Sequence, residues 1–220
     1  MNRIHQILFD FDYTLADSSE GIIASVNFAL KQVGEKTADS DQVRKMIGHS
    51  LEDTFAQFVD PIDAVKIQAC KQWFMQYADN GTMVKNTVIL KDVPDTLQWL
   101  YENFYTLGIV STKRRSTIEA TLIEAGMDDL FDVIIGFEDV KELKPNPEGL
   151  LKAIEELGGT ITDSLYVGDS VIDIQAAKNA GIPMVAVASG VTTAETLRSL
   201  APNVIHTLGE LPKWLNQSIS

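Results

Sequence analysis

Five short apolar runs alternate along the chain with longer stretches in which apolar residues recur every three or four positions. The runs are IHQILFD (4–10), YTLGIVS (105–111), DVIIG (132–136), SLYVGD (164–169) and PMVAVAS (183–189), and they read as buried strands. PDTLQWLYENF, RRSTIEATLIEAG, PEGLLKAIEELGG and DIQAAKNAG carry the helical spacing, and several of them stop at Gly126, Gly158 or Gly181, where a left-handed cap is expected. Strand and helix alternating in this way imply right-handed crossovers and a parallel sheet covered on both faces. Between about Ser18 and Lys85 the rhythm breaks: no strand is evident, and helical stretches are expected at roughly 19–33, 40–47, 51–58 and 61–79. The predicted class is α/β, a doubly wound parallel sheet with an all-helical insertion directly after the first strand. Its core comprises 1–16 with 86–220 and its insertion 17–85.

Size and composition agree with this division. A chain of 220 residues with 45% hydrophobic content can bury a full core. The net charge of -13, from 18 Lys and Arg against 31 Asp and Glu, argues against the basic footprint that nucleic-acid binding needs. No apolar run is long enough to span a bilayer, and the opening MNRIHQILFD is too short and too soon acidic for a signal peptide, so a cytoplasmic protein is expected, without nucleic-acid or membrane partners. The single cysteine, Cys70, lies in the helical stretch IQACKQWF and reads as a small packing residue. A homodimer is allowed.

In open parallel sheets, ligands bind beyond the carboxyl ends of the strands, near the point where strand order reverses. The first predicted strand ends in FDFDYTLADS, with Asp10 and Asp12 two apart and therefore facing the same way. Two such carboxylates repel unless a cation lies between them. The YTLGIVS strand ends in Ser111, Thr112 and Lys113, and the SLYVGD strand in Gly168, Asp169 and Ser170, with Asp173 at the helix start that follows. Lys144, in ELKPNPEG, comes shortly after the strand DVIIG. Carboxylates with no Cys or His among them make a hard oxygen site suited to Mg²⁺, which would relieve the repulsion and draw an anionic phosphoryl group in. Asp10 can attack phosphorus to form an aspartyl phosphate. Asp12 can protonate the leaving oxygen and later take the proton from water. Ser111 and turn amides can hold phosphoryl oxygens, and Lys144 supplies a point charge. Thr14, Thr112 and Lys113 join them as expected substrate-binding residues.

Together these residues resemble the haloacid dehalogenase superfamily, in particular its phosphatases with a helical cap. DFDYTLADS is similar to the first motif of that superfamily, VSTK to the second, KPNP to the third and GDSVID to the fourth, so the likeness spans essentially the whole chain. The resemblance implies a Rossmann-like core with a helical cap domain, Asp10 as nucleophile and Asp12 as general acid/base. It also implies Mg²⁺ held by Asp10, the Asp12 carbonyl and Asp169. Asp173 would act beside them, through metal-bound water or by positioning Lys144. Tyr13 departs from the pattern, which usually has Gly there. It must accept an ordinary φ or be strained, and its ring either narrows the site or packs beneath the cap.

Within the superfamily the chain looks most like phosphoglycolate phosphatases and related pyrophosphatases, which implies a small phosphorylated metabolite as substrate. MIGHSLEDTF resembles the cap loop that faces the active site in that group, so Gly48 and His49 are expected near substrate, and Arg114 or Arg115 could meet a second anionic group. An inorganic pyrophosphatase and a sugar-phosphate phosphatase or mutase are the alternatives. The mutases tend to carry Arg shortly after the residue matching Gly48, where Leu51 stands here. From another class, a phosphoacceptor receiver module is disfavoured, since such modules are about half this length, lack a helical insertion and carry the acceptor on a later strand.

Overall fold

All four residues of β1 (Gln6–Phe9) are buried, as a strand covered on both faces requires. The computed structural model describes residues 4–218; positions 1–3 and 219–220, at the ends of the core range 1–16 with 86–220, lie outside the described residues. The chain divides into two units, Met1–Ala16 with Ile89–Ser220, and Asp17–Val88. It passes between them through β2 (Ala16–Asp17) and β3 (Val88–Ile89), two-residue strands that pair with each other. Neither is long enough to show a period of two, which is why the pattern of apolar residues does not reveal them.

The first unit continues with β4 (Thr106–Val110), β5 (Val133–Ile135), β6 (Ser164–Gly168), β7 (Met184–Val187) and β8 (Val204–Ile205). With β1 they form a six-stranded sheet in the order β5-β4-β1-β6-β7-β8, parallel in every pair. β1 is central: the chain builds outwards on one side through β4 and β5 and on the other through β6 to β8, so strand order reverses beside it. Alternate residues of each strand serve the two faces. Ile7, Phe9, Leu107, Ile109, Leu165 and Val167 belong to one core and Leu8, Val110 and Tyr166 to the other.

The helical unit contains α1 (Ser19–Gln32), α2 (Ser40–Lys45), α3 (Leu51–Ala56), α4 (Ala64–Tyr77) and a terminal turn, α5 (Met83–Lys85). Helix α4 begins later than the 61–79 periodicity predicts, because Asp63 caps it: its carboxylate accepts from the amides of Val65 (2.8 Å) and Lys66 (3.2 Å). Val26, Leu30, Phe55, Ile67 and Cys70 share its core. Burial pushes the Cys70 thiol up to about 11, so it packs as an un-ionised small side chain.

In the first unit follow α6 (Val93–Glu102), α7 (Arg115–Ala125), α8 (Glu148–Glu156), α9 (Val171–Ala180), α10 (Ala194–Leu200) and α11 (Leu211–Ser218). Leu97, Leu122 and Leu215, from α6, α7 and α11, cover one face of the sheet. Leu150, Ala176 and Leu197, from α8, α9 and α10, cover the other. α7 and α9 end at Gly126 and Gly181 in left-handed conformation. Among the described residues no helix is long and apolar enough to cross a membrane.

Candidate active site

The carboxyl end of β1 is fixed by its neighbour: the Asp10 amide donates to the Val167 carbonyl of β6 at 2.9 Å. Phe11 turns into the core, fully buried, so Asp10 and Asp12 turn the other way. The chain then folds back tightly. The Phe11 carbonyl accepts from the amides of Thr14 (3.3 Å), Leu15 (2.9 Å) and Ala16 (3.1 Å), while the Tyr13 amide reaches Ala16 at 2.6 Å. That loop places Tyr13 at φ 61°, the left-handed region where side chains other than Gly are strained. Of the two outcomes open to Tyr13 from sequence, the structure adopts the strained one. Ser189, past β7, donates its hydroxyl to the Tyr13 carbonyl at 2.5 Å.

Lys144 lies at the centre of the edge, its side chain 4% exposed. Its Nζ is 2.7 Å from Asp10 Oδ1 and 2.7 Å from Asp173 Oδ1, and 2.9 Å from the Tyr166 hydroxyl. Asp173 is locked by the start of α9: its Oδ2 accepts from the Ser170 amide (3.1 Å) and hydroxyl (2.6 Å), and its own amide donates to Ser170 Oγ at 3.2 Å. This reciprocal capping box satisfies two helix-end donors. Asp12 meets a second ammonium, with Lys113 Nζ 3.1 Å from its Oδ2, whereas Asp12 Oδ1 is buried without a hydrogen-bond partner among the described residues. Ser111 is buried at the end of β4 and its Oγ accepts from the Lys113 amide at 3.3 Å. Thr112 follows it, half-buried. Thr14 is fully buried, its hydroxyl 3.5 Å from Asp169 Oδ1.

Electrostatics distinguish the carboxylates. Burial pushes Asp10 up from 3.8 to about 7, against the pull of Lys144 and with the added repulsion of Asp173 and Asp12. Asp169 is driven well above the usual carboxylate range, first by burial and then by Asp173 and Asp10. Asp173 moves down despite its burial, because Lys144, Ser170 and Tyr166 all bond to its charged form. Lys144, although buried, is held as the ammonium by Asp10 and Asp173. Four buried carboxylates thus face two ammonium groups, and Asp10 and Asp169 are the two whose charged forms the surroundings disfavour. Asp10, Asp169 and Asp173 each offer an oxygen within 4.8 Å of the others. An all-carboxylate donor set short of positive charge fits a hard divalent cation. Protein donors already engage both oxygens of Asp173, which leaves Asp10 and Asp169 as the carboxylates best able to hold one.

The sheet edge therefore brings together Asp10, Asp12, Thr14, Ser111, Lys113, Lys144, Asp169 and Asp173. Gly48 (φ 92°) and the exposed His49 belong to the helical unit, in the turn after α2. Arg115 is bound by Asp139, its Nε 2.9 Å from Oδ2 and an Nη on Oδ1. Arg114 stacks over Phe137 at 5.4 Å. Sequence reasoning missed Tyr166 and Gly190. Tyr166 looks like any core aromatic of β6, yet its hydroxyl joins Lys144, Asp173 (2.9 Å) and the Val110 carbonyl (3.3 Å). Gly190 lies so close to the site that a Cβ there would fall 1.8 Å from Asp169 Oδ2; the small-residue run ASG after β7 was its one signal.

This arrangement is that of an α/β enzyme with acid-rich chemistry at the carboxyl edge of its sheet. A family model described as haloacid dehalogenase-like hydrolase matches residues 7–187. The chain belongs to the haloacid dehalogenase-like hydrolases, and it is a phosphatase of that superfamily. It is similar to the pyrophosphatase PpaX of Bacillus mycoides strain KBAB4, 36% identical over 187 residues, covering 84% of both chains. A crystal structure described as a haloacid dehalogenase-like hydrolase from Bacteroides fragilis superposes with a TM-score of 0.90 at 39% identity, over 95% of this chain and 100% of that one. Another, described as a predicted phosphoglycolate phosphatase from Haemophilus somnus 129pt, gives 0.84 at 25% identity over 97% and 99%.

Proposed function

We propose that the protein is a Mg²⁺-dependent phosphatase of small phosphorylated metabolites that works through an aspartyl phosphate on Asp10. The observation that carries this is the pairing at β1: Asp10 bound to a buried Lys144 at 2.7 Å, and Asp12 facing the same edge with one oxygen unpartnered. Asp10 attacks phosphorus while the bond to the leaving oxygen breaks and Asp12 delivers its proton there. Asp12 then takes a proton from water, which attacks the aspartyl phosphate, releasing phosphate and restoring Asp10. Lys144, fixed from below by Asp173 and Tyr166, faces the transferring group without having to reorganise. Ser111, Thr112 and the amides of the 10–14 loop are the donors for phosphoryl oxygens. Asp10, the Asp12 carbonyl and Asp169 would hold Mg²⁺, which when bound supplies charge neutralisation for the incoming anion. Gly48 and His49, in the turn after α2 of the helical unit, are further candidate substrate-binding residues.

One substrate reading is a phosphoglycolate-type phosphomonoester, supported by the similarity to the structure described as a predicted phosphoglycolate phosphatase. Inorganic pyrophosphate is a second reading, supported by the relatives named pyrophosphatase PpaX. A panel of phosphoglycolate, sugar phosphates, nucleotides and pyrophosphate, ranked by kcat/KM with Mg²⁺, decides between them. Asp10→Asn should abolish turnover of every member; retained turnover would remove Asp10 as nucleophile.

A further inference from the structure

The two oxygens of Asp12 have different surroundings. Oδ2 meets Lys113, with side chains 9% and 7% exposed respectively, and Oδ1 is buried with no partner among the described residues. A buried carboxylate oxygen without a donor is costly, so Oδ1 marks a position that a ligand completes. In the proposed mechanism that ligand is the leaving oxygen, which takes its proton from Asp12. Lys113 then lies across a single carboxylate from the leaving group.

The other buried cation of the edge is already committed. Lys144 lies between Asp10 and Asp173 at 2.7 Å from each, on the side of the nucleophile. Arg115 is bound in a two-pronged pair with Asp139. Lys113 sits at a longer 3.1 Å from its carboxylate, with its head 6.0 Å from the centre of the Phe11 ring, at the outer limit of a cation–π contact. An ammonium carries three donors, of which Asp12 Oδ2 takes one. The remaining donors belong to a charge shielded from water, where attraction to a second anion is strong.

We propose that Lys113 selects the leaving group, so that this site prefers phosphoryl donors whose leaving group carries a negative charge a few bonds from the bridging oxygen. A carboxylate-bearing alkyl phosphate and pyrophosphate both meet that description; a phosphate ester of a neutral alcohol of the same size does not. The inference rests on the proposed roles of Asp10 and Asp12. It deepens them by naming what the two substrate readings share and by disfavouring neutral sugar phosphates.

The test is a ratio. kcat/KM with Mg²⁺ is measured for phosphoglycolate and for 2-hydroxyethyl phosphate, which replaces the carboxylate by a neutral alcohol, on the wild type, Lys113→Met and Lys113→Arg. The wild type should prefer the anionic ester by about tenfold or more. Lys113→Met should bring that ratio close to one, whatever happens to both rates together, and Lys113→Arg should keep most of it. Because Lys113→Met strips Asp12 of its counterion, thermal unfolding is followed alongside. The ratio is also read as binding, from the calorimetric Kd of 3-phosphonopropionate against 3-hydroxypropylphosphonate. A wild-type ratio near one overturns the proposal whether or not the variants fold, as does a Lys113→Met protein that slows both esters equally and keeps the ratio. Turnover that survives Asp10→Asn is a separate result, and it would overturn the phosphatase mechanism and this inference with it.

Discussion

Removing the charge of the proposed nucleophile should stabilise the metal-free protein. Asp10 is fully enclosed, and its carboxyl is held at about 7 against 3.8 for an ordinary one. About three pKa units at roughly 1.4 kcal/mol each amount to about 4 kcal/mol of preference for the neutral form. That figure already weighs the attraction of Lys144 against burial, and Lys144 keeps Asp173 when Asp10 is neutralised. Because the folded-state value lies above the unfolded one, the folded wild type binds more protons between pH 3.8 and about 7. Its stability therefore falls as pH rises through that window and stays low above it. Asn is neutral throughout. In EDTA at pH 8, Asp10→Asn should melt roughly 8–16 °C above the wild type, on the scaling for a chain of this length; at pH 5 the gap should shrink. Saturating Mg²⁺ at pH 8 should raise the wild type by mass action and leave the variant nearly unmoved. Circular-dichroism melts at both pH values, with and without Mg²⁺, measure all of this. A variant that melts at or below the wild type at pH 8 without metal would refute the account of crowded carboxylates awaiting a cation.

Tyr166→Phe removes a buried hydroxyl that bonds Lys144 and Asp173; it should cost about 1–2 kcal/mol of stability and lower kcat about tenfold with little change in KM. Steady-state kinetics check this, and a change confined to KM would show that Tyr166 does not position Lys144. Gly190→Ala should push Asp169 out of place, since the new Cβ would fall 1.8 Å from its Oδ2. Mg²⁺ affinity, read by calorimetry, should weaken by about tenfold or more; unchanged affinity would remove Asp169 from the cation site.

Fold and site were legible to different depths for physical reasons. The buried strands β1, β4, β5, β6 and β7 announce themselves as apolar runs because both faces of the sheet are covered. Beyond β7 the pattern carries little. β8 has two residues, too few for any period, and α10 and α11 span seven and eight. α10 shows its start only through Thr193, whose hydroxyl accepts from the Thr196 amide at 3.2 Å. In the site, the polar residues at strand ends were visible because polarity there interrupts an apolar run. Tyr166 was not, since its ring belongs to the core and its hydroxyl alone reaches Lys144 and Asp173. Gly190 was invisible for the opposite reason: its contribution is the side chain it lacks, and that is measurable only once Asp169 stands beside it.

Tyr13 joins these two kinds of legibility. Its sequence position marked a departure from the usual Gly, and the structure shows the consequence, a left-handed φ of 61° on a side chain 8% exposed. Such a conformation costs on the order of 1–3 kcal/mol and persists only where its surroundings over-determine it. Here they do. The Phe11 carbonyl takes three successive amides, the Tyr13 amide reaches Ala16, and Ser189 bonds the Tyr13 carbonyl. Burial of the ring offsets strain that a Gly would avoid but could not anchor, because Gly brings no side chain to bury and more backbone freedom to lose. The same loop carries Asp12, one residue earlier, so pinning Tyr13 also limits how far the Asp12 carboxylate can move relative to Asp10. The proton donor proposed at Asp12, whose Oδ1 has no hydrogen-bond partner among the described residues, gains nothing from mobility. It gains from a backbone that holds that oxygen where the leaving group arrives, and a strained, well-anchored neighbour provides that backbone.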